Sequence, residues 1–591
     1  MVRIAIVDKE KCRAPTDCNY ICMPVCPINK TGGECITKDA LTNKINIVEE
    51  TCIGCNICVH KCPFNAIQII NLPEMINNIP IHRYSENGFA LFGLPVPSFG
   101  KVIGVLGKNG IGKSTAIKIL SGLIKPNLGE VGTEAEVSKI INYFKGTPAH
   151  KYFEDLNSSK VTVSYKPQQV ELIPDQFDGT VIDLLNKVNE NDKLNLLIDK
   201  LDLTNILNRT LKQISGGELQ RVAIAATLLK KANVYIFDEP TSYLDIKQRI
   251  KVSDLIRDLC TEDIAILVIE HDLIALDYMT DLIYIMYGTS SAYGILSSVK
   301  STKEGINVYL SGYIKENNMR FRDHSIKFEN SAQEGLPKLG NVIDWDNIDI
   351  ELGDFKLKAE SGEILKSNLY GILGENGIGK STFMRALVGD VKLSKGKING
   401  KIKVSYKPQY LNSDSSINVL ELLTDQIEQF GSQEWEYNYE IPLDLKSLYD
   451  KKLNELSGGE LQRLSISICL AKDADIYLLD EPSSYLDVEQ RLVTSRLIKD
   501  RLISMGKTVL VIDHDLLFVD YLCKSIIIFD GIPSKQGEIQ SPLFMSEGMN
   551  EFLKILDITF RRDEENNRPR INKRNSVLDK KQRAEGNFYF I

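Results

Sequence analysis

No apolar run in this chain of 591 residues approaches the roughly 18 that a membrane-spanning helix requires. The start also lacks the basic stretch and short apolar segment of a secretory leader. These absences argue against a membrane protein and lead us to expect a soluble, cytoplasmic one. Positive charge is scarce overall: the formal net charge is −8 and the pI is near 5.6. Any nucleic-acid partner therefore has to be met by local patches rather than by a global field. Cysteine is almost missing beyond Lys101, where only Cys260, Cys469 and Cys523 occur, each in apolar surroundings that predict buried thiols without a chemical role. The length exceeds what one core can organise and predicts three or four domains.

The other nine cysteines are crowded before Lys101. Without a secretory leader, metal ligation is the better explanation than disulfides. Cys52-Ile-Gly-Cys55-Asn-Ile-Cys58-Val-His-Lys-Cys62-Pro63 matches the bacterial ferredoxin run residue for residue. Cys12, Cys18, Cys22 and Cys26-Pro27 keep its final spacing with wider early gaps. Two [4Fe–4S] clusters are expected rather than zinc, whose closed sites also use four thiolates. In such proteins the fourth cysteine of each run ligates the other cluster. One cluster then takes Cys12, Cys18, Cys22 and Cys62, and the other Cys52, Cys55, Cys58 and Cys26, with Cys35 left over. No flavin or nicotinamide signature accompanies them, which favours a structural or conformational role.

Gly107-Lys-Asn109-Gly110-Ile-Gly112-Lys113-Ser114-Thr115 is a phosphate-binding loop, set between an apolar run and a helical pattern. A second copy reads Gly374-Glu-Asn376-Gly377-Ile-Gly379-Lys380-Ser381-Thr382. In each, backbone N–H groups cradle phosphates, the lysine neutralises charge and the serine binds Mg²⁺. Ahead of the first loop, Tyr84 and Phe89 stand where an adenine platform would lie, although alternating aromatics also suit a strand core.

The elements that follow each loop come in duplicate. Gln168 and Gln409 sit in turns where they can sense γ-phosphate and Mg²⁺. Ser215-Gly-Gly217-Glu-Leu-Gln-Arg and Ser457-Gly-Gly459-Glu-Leu-Gln-Arg open helices with a serine N-cap and glycines that let an anion approach, and they match the ABC signature. Apolar strands then end in Asp238-Glu239 and Asp480-Glu481. The aspartates are placed to hold Mg²⁺ through water and the glutamates to polarise the attacking water. Ser-Tyr-Leu-Asp follows each pair, ending at Asp245 and Asp487. A further apolar strand ends in His271 or His514, expected to contact γ-phosphate.

Lys113 to Ser215 spans 102 residues against 77 from Lys380 to Ser457, which places an insertion at about 131–160 of the first copy. Val137, Ile140, Ile141 and Phe144, then Gly146-Thr-Pro, then Tyr152, Phe153 and Leu156 predict a helix–loop–helix. A pair this small often just caps its neighbour, but its presence in one copy alone favours partner binding. Asn318-Met-Arg-Phe-Arg322 joins the copies, and a basic Pro- and Asn-rich stretch from Phe560 to Arg574 follows the second. Solvated linkers usually explain such charge, and Arg clusters also suit phosphate or carboxylate.

Taken together these features resemble ABC subfamily E, the ribosome-recycling ATPases also called the RNase L inhibitor family, and compactness and Ile/Lys richness lean archaeal. The resemblance covers essentially the whole chain. It implies an α/β architecture of two tandem ABC-type nucleotide-binding domains arranged head-to-tail, plus an N-terminal α+β ferredoxin-like domain. The expected division is 1–80 for the iron–sulfur domain, 81–315 for the first cassette, 316–340 for the linker, 341–557 for the second cassette and 558–591 for a C-terminal basic hinge and tail. ATP site one would combine Lys113, Ser114, Gln168, Asp238, Glu239 and His271 with Ser457 and Gly459. Site two would combine Lys380, Ser381, Gln409, Asp480, Glu481 and His514 with Ser215 and Gly217. The implied activity is ATP hydrolysis coupled to splitting of ribosomes, with a release-factor-like or rescue-factor partner, contacts to small-subunit rRNA, residence on the small subunit afterwards, and a monomeric chain. A tandem ATPase subunit of a transporter would explain the cassettes without the clusters, and an ATP-coupled iron–sulfur redox protein would explain the clusters.

Overall fold

The computed structural model describes the chain except residues 1–2, 41, 72–78, 323–324, 329–339, 401, 410–415 and 590–591. Much of the linker expected at 316–340, and the end of the iron–sulfur domain expected near 80, therefore lie outside the described residues.

Two nine-stranded sheets with the same strand order form the body of the protein. In the first, Leu282–Thr289, Val102–Leu106, Ala265–Ile269, Val234–Asp238 and Val163–Lys166 run parallel side by side. In the second, Ser525–Ile532, Leu369–Leu373, Thr508–Ile512, Ile476–Asp480 and Val404–Lys407 repeat the arrangement. Val102–Leu106, Val234–Asp238 and Ala265–Ile269 are buried at every position. Parallel strands covered by helices on both faces have no solvent side, so they read as unbroken apolar runs rather than alternating ones. Their carboxyl ends lie at one edge, which is where open α/β sheets bind ligands.

The insertion in the first cassette forms helices Val137–Tyr143 and Pro148–Asn157. Most of its apolar side is spent on its own cassette. Ile140, Phe144, Ala149, Tyr152 and Phe153 join the core beneath the phosphate loop, Phe144 stacks on Phe153 at 5.0 Å, and Tyr152 Oη donates to Leu120 O at 2.7 Å. A face including Lys139, Lys145 and Lys151, with Val137 among them, is left to solvent.

Nor are the basic joining segments simply solvated, although Arg320, Lys573 and Arg574 are exposed. Phe560–Arg562 and Pro569–Ile571 form a hairpin that ties the cassettes through aspartates at equivalent places. Asp277, on helix Leu273–Met279 of the first cassette, accepts from Arg568 Nη1 at 3.3 Å and from Arg570 Nε and Nη2 at 2.7 and 3.0 Å. Asp520, on helix Leu516–Leu522 of the second, takes both Arg562 nitrogens at 2.6 and 2.9 Å. The carboxylate reading of these arginines is the one realised. In the linker, Phe321 stacks on Tyr287 at 6.3 Å, and buried Arg322 lies 5.1 Å over the Tyr309 ring.

The N-terminal unit has two small antiparallel sheets, Arg3–Val7 with Ile67–Asn71 and Ile36–Lys38 with Ile45–Ile47, and short helices Cys22–Val25, Pro27–Lys30 and Ile57–Lys61. It is bolted to the first cassette at the Ser85–Gly88 turn. Ile47 N donates to Asn87 Oδ1 at 2.6 Å, Asn87 Nδ2 returns to Ile47 O at 2.8 Å, and Val7 N reaches Asn87 O at 2.9 Å. Nearby, Arg83 pairs with Glu49 at 2.6 Å.

Candidate functional site

Each phosphate loop leaves its strand and enters a helix, Lys113–Leu120 or Lys380–Val388, through a glycine in the left-handed region: Gly112 at φ 91° and Gly379 at φ 99°. A side chain there would also collide with the Phe89 or Phe355 ring, so glycine is required twice over. Lys113 Nζ is folded back onto Gly107 O and Lys108 O, both at 2.7 Å; Lys380 Nζ binds Gly374 O and Glu375 O at 2.7 and 2.9 Å. Burial lowers both ammonium groups to about 8, opposed by the nearby carboxylates. An anion that brought negative charge to either lysine would therefore be strongly attracted.

The two carboxylates after each strand are held differently. Asp238 and Asp480 lie beside the loop serines, with Ser381 Oγ donating to Asp480 Oδ2 at 2.9 Å. Burial raises both aspartates, opposed chiefly by Lys166 in the first cassette and by Ser381 and Lys407 in the second. Glu239 and Glu481 have left-handed backbones, φ 47° and 48°, a strained choice for a non-glycine residue that clusters at functional positions. Two groups fix each glutamate by hydrogen bonds, and a histidine stands beside it. Gln168 Nε2 donates to Glu239 Oε1 at 2.7 Å, as Gln409 Nε2 does to Glu481 at 2.7 Å; Ser242 and Ser484 donate to the other oxygen at 3.0 Å. His271 Nε2 and His514 Nε2 stand 3.7 and 3.8 Å from the same carboxylates. Burial holds both imidazoles well below their ordinary range, so they are neutral at neutral pH. Neither His271 ring nitrogen has a hydrogen-bond partner, whereas His514 Nε2 meets Asn376 Oδ1 at 2.9 Å.

Ser215 and Ser457 cap helices Gly216–Leu229 and Gly458–Ala471 in reciprocal boxes with Glu218 and Glu460. A cavity of about 1210 Å³ brings together residues of both cassettes. It is lined by Tyr84, Phe89, Asn109, Gly110, Gly112, Lys113, Ser114, Thr115, Gln168, Asp238, Glu239 and His271 from the first, and by Ser457 and Gly459 from the second. Tyr84 is 53% exposed on this wall, with its hydroxyl 3.0 Å from Thr115 Oγ1. The cavity continues to Gln409, Glu481 and His514. Ser215 and Gly217 are not among its lining, and the second face meets through Asn376 and Glu375 instead.

Several residues outside our expected set complete the geometry. Asp245 and Asp487 each cap a helix with one carboxylate oxygen, through Gln248 N and Gln490 N at 2.9 Å. With the other they cross between cassettes, accepting from Asn376 N at 3.1 Å and Asn109 N at 3.2 Å. Lys166 and Lys407, both buried, donate to Asp238 O and Asp480 O at 2.9 and 2.7 Å and pin the ends of those strands. Tyr243 and Tyr485 meet hydroxyl to hydroxyl at 3.3 Å where the cassettes face. The signal for all of them was the exact repetition of Ser-Tyr-Lys-Pro-Gln/Ser-Tyr-Lys-Pro-Gln and Ser-Tyr-Leu-Asp/Ser-Tyr-Leu-Asp in both copies.

Eight of the nine N-terminal thiols fall into two fours, with Cys35 beside the second. Cys22 has Cys18, Cys12 and Cys62 as its electrostatic neighbours; Cys58 has Cys52, Cys55 and Cys26. Burial pushes Cys22 up to about 12 and Cys58 up to about 11. Buried thiols so crowded suit a cationic iron cluster, which takes the thiolate and offsets its charge. Among the described residues no three Cys, His, Asp or Glu side chains converge closely enough for a single metal ion; a cluster spans a wider gap. Of the other thiols, Cys469 and Cys523 are buried and Cys260 is half-buried.

Comparison with known proteins assigns the cassettes and the N-terminal unit to families. The ABC transporter family matches residues 98–242 and 357–484, and the 4Fe-4S binding domain matches residues 45–68. An uncharacterized ABC transporter ATP-binding protein of Methanocaldococcus jannaschii is 47% identical over 100% of this chain and 98% of its own. ABC transporter E family member 1 of Arabidopsis thaliana is 43% identical over 100% and 99%. Among solved structures, archaeal ABCE1 bound with Pelota to the ribosome superposes with a TM-score of 0.94 at 46% identity, covering 100% of this chain and 99% of that one. An archaeal ribosome recycling factor in complex with the ribosomal stalk protein aP1 gives a TM-score of 0.82 at 46% identity, covering 87% and 99%. No helix among the described residues is long and apolar enough to cross a membrane.

Proposed function

The chain belongs to the E family of ABC proteins, and from that footing we propose that it is an ATP-driven recycling factor that separates ribosomes into subunits after termination or rescue and stays on the small subunit. Its partners are the ribosome and a release- or rescue-type protein, as Pelota is beside the ribosome-bound relative.

ATP is the substrate, with its adenine against Tyr84 and Phe89 in the first site. Lys113 or Lys380 and the loop N–H groups hold the phosphates, and Ser457 with Gly459, or Ser215 with Gly217, approaches γ-phosphate from the opposite cassette. Glu239 and Glu481 orient and polarise the attacking water, each aimed by its glutamine and serine, while His271 and His514 contact γ-phosphate. Mg²⁺, held by Ser114, Gln168 and Asp238 or by Ser381, Gln409 and Asp480, supplies neutralisation of phosphate charge. Two [4Fe–4S] clusters sit on Cys12, Cys18, Cys22 and Cys62 and on Cys52, Cys55, Cys58 and Cys26.

A ligand that contacts both cassettes favours the closed pair over the open one, and hydrolysis removes that preference. The observation that carries the coupling is the Asn87–Ile47 clamp. The turn between Tyr84 and Phe89 is bonded to the iron–sulfur domain, so movement at the adenine wall is passed to that domain. Ribosome splitting followed by sucrose-gradient sedimentation tests the proposal. A Glu239→Gln, Glu481→Gln variant should bind ATP, hydrolyse it slowly and remain on small subunits. Unimpaired splitting and release by that variant would falsify it.

A further inference from the structure

The two site histidines are held in different ways. His514 Nε2 is anchored by Asn376 Oδ1 at 2.9 Å, whereas among the described residues neither ring nitrogen of His271 has a partner. His271 therefore takes its aim from its backbone, which is gripped at both ends. His271 N donates to Glu270 Oε1 at 2.8 Å within the first cassette, and His271 O accepts from Arg491 Nη1 of the second at 3.5 Å. Contacts of this kind are often long without ligand and tighten when the site is filled. The guanidinium is itself fixed, with Nε donating to Leu486 O at 2.9 Å and Nη1 to Asp515 Oδ2 at 2.6 Å. Its side chain is 14% exposed, so water competes little for its donors.

Arg491 lies in the first turn of helix Val488–Ser504, and the start of that helix touches the first ATP site at three places. Asp487 accepts from Asn109 N at 3.2 Å, Glu489 pairs with Lys108 at 2.7 Å, and Arg491 reaches His271. The matching arginine of the first cassette, Arg249, donates to Leu244 O at 2.9 Å and to Asp272 at 2.8 Å, and among the described residues it makes no bond to His514 O.

We propose that Arg491 is a positioning residue for the first ATP site, holding the His271 backbone from the opposite cassette so that the imidazole stands beside Glu239 and toward γ-phosphate. This rests on the reading of His271 and Glu239 given above. Because the same guanidinium binds Asp515, the residue after His514, it also ties one site's histidine to the other's. A merely structural role would centre on the Arg491–Asp515 pair inside the second cassette and so weigh on the second site or on both alike.

Steady-state phosphate release by the full-length holoprotein, with ATP titrated, separates the two. Arg491→Met is placed in a Glu481→Gln background, where the first site turns over, and in a Glu239→Gln background, where the second does. In the first background kcat should fall by about tenfold with KM within about twofold, since the lysine and loop contacts to ATP are untouched. In the second, kcat should change by less than about twofold. Equal losses, a loss at the second site alone, or no loss overturn the positioning role. Should the Met variant not fold, Arg491→Lys keeps a cation beside Asp515 without the planar group that also reaches His271, and the same comparison of backgrounds decides. Unchanged phosphate release by Glu239→Gln, Glu481→Gln overturns the site reading on which the role depends, whatever Arg491 does.

Discussion

The two cassettes share the contacts that hold their glutamates, from Gln168 and Ser242 in one and Gln409 and Ser484 in the other, yet carry opposite charges where they face each other. In the first loop Lys108 pairs with Glu489 of the second cassette at 2.7 Å; in the second loop the corresponding position is Glu375, which pairs with Lys247 of the first cassette at 2.7 Å. The pattern is complementary only when unlike cassettes meet. A first cassette facing a copy of itself would set Lys108 against Lys247, and a second would set Glu375 against Glu489. Like charges brought together discriminate against wrong pairings even where the correct pair adds little affinity. Glu489 also lies 3.6 Å from buried Arg322, so this face reaches into the linker. The lesson is that duplication preserved the chemistry while divergence at the rim gave each interface its own address.

The comparison can be broken hardest at the glutamates. Glu239→Gln and Glu481→Gln remove equivalent groups, and together they should reduce steady-state phosphate release by about 10²–10⁴-fold. Measuring each single variant then tells whether the sites differ: equal partial losses mean equivalent sites, and a dominant loss from one marks it as rate-setting.

The hinge aspartates come next. Asp277→Ala strands Arg568, which is 0% exposed, and an unpaired buried charge costs about 3–5 kcal/mol. Asp520→Ala leaves Arg562 with a partly exposed side chain and the Asn567 carbonyl as an acceptor, so its loss should be nearer about 1.5–3 kcal/mol. Urea-unfolding midpoints should fall in that order, and the reverse order would mean that the second cassette carries the tighter joint.

Smaller still is the charge exchange. Lys108→Glu or Glu489→Lys alone should weaken ATP-driven closure by about 2- to 5-fold, as partly exposed pairs are worth about 0.2–1 kcal/mol. The double reversal should recover most of it, read by intramolecular fluorescence transfer between labelled cassettes. No recovery would mean that the residues act independently.

The smallest signal is a proton. Lys113 and Lys380 sit at about 8 without nucleotide, and phosphate charge beside them favours the ammonium form. ATP binding at pH 8 should therefore take up on the order of half a proton per site, seen as a dependence of binding enthalpy on buffer ionisation enthalpy. The linkage to stability has the opposite sense. Because these lysines titrate lower in the folded than in the unfolded chain, the unfolded chain binds more protons between about pH 8 and 10.5, and this term raises folded-state stability as pH climbs through that window. Uptake that vanishes in Lys113→Met but not in Lys380→Met would assign it to one cassette.

The phosphate loops, signature helices, Asp-Glu strand ends and ferredoxin run were legible because each is a local pattern whose chemistry is set by neighbours within a few residues. The helix pair at 137–157 was legible as helices but not as to which way its apolar side turns, since periodicity gives a face and not its partner. The arginines from 562 to 570 read as a solvent or ligand patch, and only the approach of Asp277 and Asp520 from distant helices made them internal.

The sequence by itself determined the fold class, the two phosphate loops and the thiol inventory, because spacing along a strand–loop–helix or a cysteine run is already geometry. Tertiary structure alone decided that Asp245 and Asp487 cross between cassettes and that Lys108 and Glu375 meet opposite charges. Those contacts join residues whose nearness comes from packing two folded domains rather than from chain spacing.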